Sequence, residues 1–303
     1  MTARAQIRML EDGHRLHLHD GPIDLIVEAF GKRNEVGVAY RAAAERFVNV
    51  LDELCGELAF LRQATQANGS LPAGVVARRM VVAVTPHCEH TFITPMAAVA
   101  GAVAEEILNT MTGAAKLSRA YVNNGGDIAL HLAPGEHFIV GMVERPDRPS
   151  LFGTVTLDSA QPVRGIATSG WRGRSFSLGI ADAVTVLADR AAMADAAATI
   201  IANAVDLPGH PEILRAPARR LQPDSDLGDR MVTQGVGELS RNEIDMALGA
   251  GVAVARRLLA NRLIRSAALH LRGENRLVTS KLFSILDRPE SVKFGWSSAL
   301  VCA

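Results

Sequence analysis

The stretch Ala194-Asp195-Ala196-Ala197-Ala198-Thr199 decides how this chain is read. It sets a carboxylate and a hydroxyl four residues apart among alanines. On a helix, residues i and i+4 share a face, so both oxygens can meet one ligand. At about 100° per residue, Met193, Ala197, Ile200, Ile201 and Ala204 form an apolar stripe. Asp195 and Thr199 then project from the other side, flanked by Ala188, Ala191 and Ala202. A helix apolar nearly all round is a buried one, and a buried carboxylate has to be paired, hydrogen-bonded, metal-bound or protonated. An Asp with a Thr one turn away suits a hard cation such as Mg²⁺ or Ca²⁺, which takes oxygen ligands. An Asp hydrogen-bonded to a neighbouring loop is the alternative.

Three further stretches carry candidate chemistry. Gly165-Ile166-Ala167-Thr168-Ser169-Gly170 ends in two hydroxyls and a glycine, which suits hydrogen bonding to a phosphate or a ring edge, and also reads as a strand closed by a Ser-Gly turn. In Asn123-Asn124-Gly125-Gly126-Asp127, adjacent glycines let backbone amides approach a ligand and form an anion-binding nest, while Asn123 and Asp127 can orient a ring amide or a ribose. The same dipeptides also make an ordinary β-turn. His87-Cys88-Glu89-His90 is the densest cluster of transition-metal ligand types, suited to Zn²⁺ or Fe²⁺. No second Cys/His pair lies at zinc-finger spacing, and a polar loop explains the cluster equally. No GxSxG, Walker loop or GxGxxG is present.

Around these motifs the pattern predicts a hairpin over 14–30, a helix over 38–61 and a strand over 80–84. Thr94-Pro95 opens an Ala-rich helix to about residue 111, with Gly101 in its middle permitting close approach of a backbone or ligand. Strands are expected over 119–122, 128–132, 138–143 and 154–157, with a loop over 144–150. The motif helix spans 184–205, the proline-rich stretch 207–229 is mostly irregular, and the Ser240-Arg241-Asn242-Glu243 capping box opens a helix to about 264. A short strand or tail is expected over 278–303. His17 and His19 share a strand face, a solvated or ligand-lining edge. Strands and helices come in blocks, which predicts α+β and not a doubly wound parallel sheet.

Composition narrows the functional classes. The chain has 303 residues, 48% of them hydrophobic, with Lys+Arg 32 balanced by Asp+Glu 32. It therefore lacks the basic footprint of a nucleic-acid or anionic-membrane binder, and 4% aromatics is too few for a base-stacking platform. Cys55, Cys88 and Cys302 are widely spaced with no CxxC, which fits a reducing compartment. No secretory pattern is visible at the start, and no apolar run reaches the roughly 18 residues of a membrane span. A cytoplasmic protein is expected, with a small-molecule ligand and neither nucleic acid nor membrane as partner.

Three of the motifs follow one another in the order found in one family. The chain resembles the FAD:protein FMN transferase (ApbE) superfamily, in which a Gly-Gly-Asn/Asp turn, a "(V/I)ATSG" segment and an "ADALAT" helix occur in that order. Here they are residues 123–127, Ala167-Thr168-Ser169-Gly170 and Ala194 to Thr199. The match covers about 95–205. The resemblance implies an α+β, T-fold-like ApbE-type architecture, mixed or antiparallel sheets packed with helices. The chain would be a single domain, with two intertwined halves (about 1–115 and 116–303) as the variant arrangement. It further implies FAD or a related nucleotide as cofactor, with Mg²⁺ bridging protein and pyrophosphate. Asp195 and Thr199 would be metal ligands, and Asn123, Gly125, Gly126, Asp127, Thr168 and Ser169 would line the nucleotide site.

The departures are as informative. The family pattern Lys-Gly-x-x-x-Asp is Ala100-Gly101-Ala102-Val103-Ala104-Glu105 here, so the lysine is replaced and Glu105 stands for Asp. The family's "SHIxDPxTG" segment has no counterpart, because 171–185 contains neither His nor Pro. The resemblance is therefore to a divergent ApbE-like family. The candidate bases are His87, His90, Glu105 and Asp127. Three readings follow: a metal-dependent enzyme of flavin or nucleotide chemistry, with transfer of FMN from FAD as one such reaction; a non-transferase binder of flavin, pterin or nucleotide; or an oligomeric scaffold with a vestigial pocket, a homo-oligomer being the partner arrangement expected.

Overall fold

Alternating burial builds the first sheet of this computed structural model, which describes residues 4–143, 151–279, 286–287 and 299–302. Strand β1 (Gln6–Met9) lies antiparallel on β2 (Leu16–Asp20), which turns through Gly21-Pro22 into β3 (Ile23–Gly31). Leu16, Leu18, Ile23, Leu25 and Val27 are buried, with partly exposed residues between them, as in a sheet packed on one face. The hairpin expected over 14–30 is formed. Helix α1 (Arg33–Gly56) and the short α2 (Leu58–Leu61) follow, burying Phe47, Val50, Leu54 and Leu61 of the apolar stripe.

The stretch 80–84 is not a strand. It ends helix α3 (Val75–Val84), in which Val76, Ala77, Met80, Val81 and Val84 are buried while Val75 and Val82 are exposed. That is a helical period, which the β-branched residues disguised in so short an apolar run. A 3₁₀ turn at Pro95–Ala98 leads into α4 (Val99–Ala114), as Thr94-Pro95 announced, although Thr94 makes no side-chain capping bond. The expected strands appear as β4 (Leu117–Asn124), β5 (Asp127–Leu132), β6 (His137–Val143) and β7 (Leu151–Asp158). The loop expected over 144–150 lies outside the described residues.

Strand β8 (Gly165–Ser169) carries the Thr168-Ser169 hydroxyls. The motif helix is shorter than expected, because its first part is a strand, β9 (Ala183–Ala188), and the helix α5 is Ala191–Ala204. Val184, Thr185 and Val186 are β-branched, and all six residues of β9 are buried, so sheet pairing with flanking strands wins over the apolar helical pattern. The stretch 207–229 is less irregular than expected: β10 (Ile213–Pro217) and α6 (Ala218–Leu221) fall in it, and β10 pairs with β11 (Met231–Val236). Helix α7 (Arg241–Ala260) begins with the complete capping box read from the sequence. Strands β12 (Ser266–Leu271), β13 (Glu274–Thr279), β14 (Leu286–Asp287) and β15 (Ala299–Cys302) follow, and most of the stretch 280–303 lies outside the described residues.

The fold is α+β and has two compact units. Unit 1 is Met1–Phe138, Thr156–Ile166 and Asp189–Ala194; unit 2 is Ile139–Val155, Ala167–Ala188 and Asp195–Ala303. In unit 1 the strands are ordered β1-β2-β3-β4-β5 with the start of β8, all paired antiparallel. Helices α1 and α4 pack against this sheet and against each other, enclosing Leu18, Leu25, Phe47, Ile107, Met111 and Ile128. In unit 2 the end of β8 neighbours β9, and β9, β12 and β13 pair antiparallel beneath α7. Unit 2 also holds the β10-β11 ribbon and a sheet ordered β14-β7-β6-β15, in which β15 runs parallel to β6. Among the described residues no helix is long and apolar enough to cross a membrane.

Candidate functional site

Helix α5 carries the motif but departs from the expected stripe, since Met193 and Ala204 are partly exposed and Ala188 lies on β9. Ala194, Ala196, Ala197, Ala198, Ile200, Ile201 and Ala202 are buried, whereas Asp195 and Thr199 are partly exposed. The carboxylate is thus half-buried and not sealed in the core, which lowers the cost of carrying a charge there. Its face carries one carboxylate and one hydroxyl, hard oxygen donors with accessible surface.

Unit 1 fixes the start of α5 from three sides. A Cβ added at Gly101, on α4, would stand inside van der Waals contact of the Ala191 carbonyl; one added at Gly165, on β8, would collide with the Arg190–Ala191 peptide. The close approach expected at Gly101 is therefore to a backbone. Glu105, one turn further along α4, accepts the Ala192 N–H at 2.9 Å and lies 3.5 Å from Arg79. Arg79 also reaches Glu106 at 3.0 Å, and Arg46 reaches Glu106 at 2.7 Å and Glu53 at 2.7 Å. Burial would raise the Glu106 carboxyl, but the bonds from Arg46 and Arg79 outweigh it and hold the group below its usual value. The sequence candidate Glu105 is thus bound into the fold, with its negative charge at the N-terminal end of α5 where the helix dipole favours it.

The Asn123–Asp127 stretch closes the β4-β5 hairpin, with Asn124 opposite Asp127 and both intervening glycines at positive φ, +65° and +108°. Non-glycine residues rarely take that pair of conformations, which is why the turn needs two glycines. The Asn123 carboxamide oxygen accepts the Gly126 N–H at 2.8 Å, and Asn124 Nδ2 donates to the Ala100 carbonyl at 3.1 Å, tying the turn to α4. The turn reading is realised, and Gly125 is exposed at its tip.

In unit 2, Thr168 and Ser169 end β8 partly exposed, and the Thr168 hydroxyl is 2.9 Å from that of Thr185 on β9. The chain beyond them converges on Asp182, a residue sequence reasoning passed over. Asp182 is 3% exposed and accepts Trp171 Nε1 at 3.2 Å, Arg172 Nε at 2.6 Å and the Arg272 backbone N–H at 2.7 Å. Arg272 occupies the left-handed region at φ +51° in the β12-β13 turn, held by that bond and by its guanidinium on the Val236 and Gly237 carbonyls. The signal was available, since Asp182 is the lone carboxylate in the apolar run 180–188, the same logic that singles out Asp195.

The His87 to His90 cluster does not converge. His87 is buried at the end of a 3₁₀ turn while Glu89 and His90 are exposed. Among the described residues no group of three or more His, Cys, Asp or Glu side chains is placed to hold a metal ion.

Mixed and antiparallel sheets packed with helices are the α+β architecture expected from the motifs. The model of the family described as "AbpE bacteria" matches residues 7–277, and the chain belongs to that family. Similar proteins include a UPF0280 protein of Methanopyrus kandleri, 42% identical over 112 residues, which are 37% of this chain and 43% of that protein. A UPF0280 protein of Methanococcoides burtonii is 40% identical over 120 residues, 39% of this chain and 48% of that one. The chain spans less than half the length of these curated relatives. Among solved structures, the apo flavinyl transferase ApbE of Pseudomonas stutzeri aligns with a TM-score of 0.41 at 12% identity, covering 93% of this chain and 96% of that one. The flavin transferase ApbE of Vibrio cholerae aligns with a TM-score of 0.40 at 11% identity, covering 91% and 98%.

Proposed function

We propose that this protein binds a flavin or a related nucleotide together with Mg²⁺, the ion being held by Asp195 and Thr199. The observation that carries the reading is the exposure pattern of α5: its one carboxylate and one hydroxyl are partly open while the alanines and isoleucines around them are buried. That donor set fits a hard divalent cation and would not suit a soft one. Such an ion, when bound, would screen phosphate charge and polarise a pyrophosphate. Thr168 and Ser169 are assigned as hydrogen-bonding partners of the ligand. Membership of the AbpE family supports the assignment.

The reaction to test is transfer of FMN from FAD to a Ser- or Thr-containing acceptor. A second reading, a binder that does not transfer, is favoured by one observation: Glu105, a candidate base, is engaged by Ala192 and Arg79. Purified protein titrated with FAD in the presence of Mg²⁺, then incubated with an acceptor protein, separates the two. Binding with flavin transfer that Asp195→Ala abolishes supports the enzyme. Binding without transfer supports the binder, and no binding of flavin, pterin or nucleotide overturns both.

A further inference from the structure

Arg172 lies three residues beyond Ser169, with its side chain 19% exposed and its guanidinium held in two ways. Nε donates to Asp182 Oδ1 at 2.6 Å, and the guanidinium carbon stands 4.3 Å from the centre of the Trp171 ring. The indole is itself fixed, because its Nε1 donates to the same carboxylate oxygen at 3.2 Å. Among the described residues, Nε is the only nitrogen of this guanidinium in a hydrogen bond, so the terminal Nη1 and Nη2 carry no protein acceptor. Asp182 is saturated on its own side, because it also accepts the Trp171 Nε1–H and the Arg272 backbone N–H, so it engages the guanidinium at Nε alone.

We propose that Arg172 is an anion anchor that takes a phosphate or pyrophosphate group of the ligand through Nη1 and Nη2. A planar fork stacked on an aromatic ring and pinned at Nε has already given up its rotamer freedom, so it meets two phosphate oxygens at little further entropic cost. The proposal rests on the nucleotide-site reading of the neighbouring Thr168 and Ser169 and narrows it. The ligand is a phosphorylated compound, such as a flavin nucleotide or a purine nucleotide, and not riboflavin or a free pterin.

The test compares wild type with Arg172→Gln by titration with FAD, ADP and riboflavin in Mg²⁺. The expected result is that wild type binds FAD or ADP more tightly than riboflavin, and that Arg172→Gln weakens the phosphorylated ligand by about tenfold or more while leaving riboflavin unchanged. Because Arg172→Gln leaves Asp182 buried without its cation, the double variant Arg172→Gln/Asp182→Asn is titrated alongside, pairing amide with amide. Unchanged FAD and ADP affinity in either folded variant overturns the role of Arg172 and leaves the flavin reading standing. Binding of ADP but not FAD by wild type, lost in the variants, overturns the flavin reading and supports the anchor. Riboflavin binding as tightly as FAD, or no binding of any probe by wild type, overturns the anchor.

Discussion

Glu105 Oε2 accepts the Ala192 N–H at 2.9 Å, so a carboxylate of α4 caps the first turn of α5 from outside that helix. The bond satisfies one of the amides that a helix start leaves without an intrahelical partner, in a place shielded from water. Removing it exposes that cost directly. Glu105→Ala is expected to lose about 1–3 kcal/mol of stability, and Glu105→Gln less, because the amide oxygen can still accept. Chemical denaturation of the two variants checks the order.

Gly101 leaves no room for a methyl group against the Ala191–Ala192 peptide, nor does Gly165 against the Arg190–Ala191 peptide. Gly165→Ala, where the obstruction is backbone on every side, is expected to cost about 3 kcal/mol or more and to yield little soluble protein. Gly113→Ala, with nothing within contact range on the same α4, is the control and is expected to be neutral or slightly stabilising. Soluble yield and melting temperature report both.

The α7 capping box gives a pH signature. The His210 side chain, at 2.8 Å, and then the Ser240 hydroxyl and N–H hold the Glu243 carboxyl down at about 2. A folded value below the ordinary 4.5 means that this contribution is complete above about pH 4.5 and is lost as pH falls towards 2. In Glu243→Gln that part of the acid-unfolding profile flattens, which denaturant midpoints measured from pH 5 to pH 2 would reveal.

Mg²⁺ should stabilise the wild type by mass action. At a concentration a hundredfold above its dissociation constant, a ligand specific for the folded state adds about 2.7 kcal/mol. Asp195→Asn and Thr199→Val should each diminish the Mg²⁺-dependent rise in melting temperature, taken as the difference between each variant's own metal-free and Mg²⁺-loaded melts. A rise that survives both substitutions would remove these residues from the metal site.

Much of the fold could be read from the sequence because its local and global signals agree. The β2-β3 hairpin shows strict alternation, and the capping box marks the first turn of α7. Where they disagree, the reading failed for identifiable reasons. Val75–Val84 looks like a strand because valines dominate, yet its buried positions fall at helical spacing. Ala183–Ala188 looks like the start of a helix, yet its neighbours β8 and β12 claim it as a strand. The candidate site divides in the same way. Asp195 and Thr199 stand out as polar letters in an alanine helix, whereas the roles of Asp182 and Arg172 depend on a convergence of segments that, for Asp182 and Arg272, lie 90 residues apart. Glu105 stands out by its place in a motif, but its bond to Ala192 depends on contacts between distant segments.

The paired glycines at the root of α5 also bear on how this arrangement can change through time. Gly101 and Gly165 face the two successive peptides on either side of Ala191 from two different elements, so a side chain gained at either one meets backbone. A lineage carrying this helix start keeps both glycines or rebuilds the junction entirely, whereas an alanine-rich stretch can arise repeatedly by drift. Distant copies of the arrangement are therefore better recognised by those two positions, with a carboxylate one turn after the first, than by the alanine motif itself.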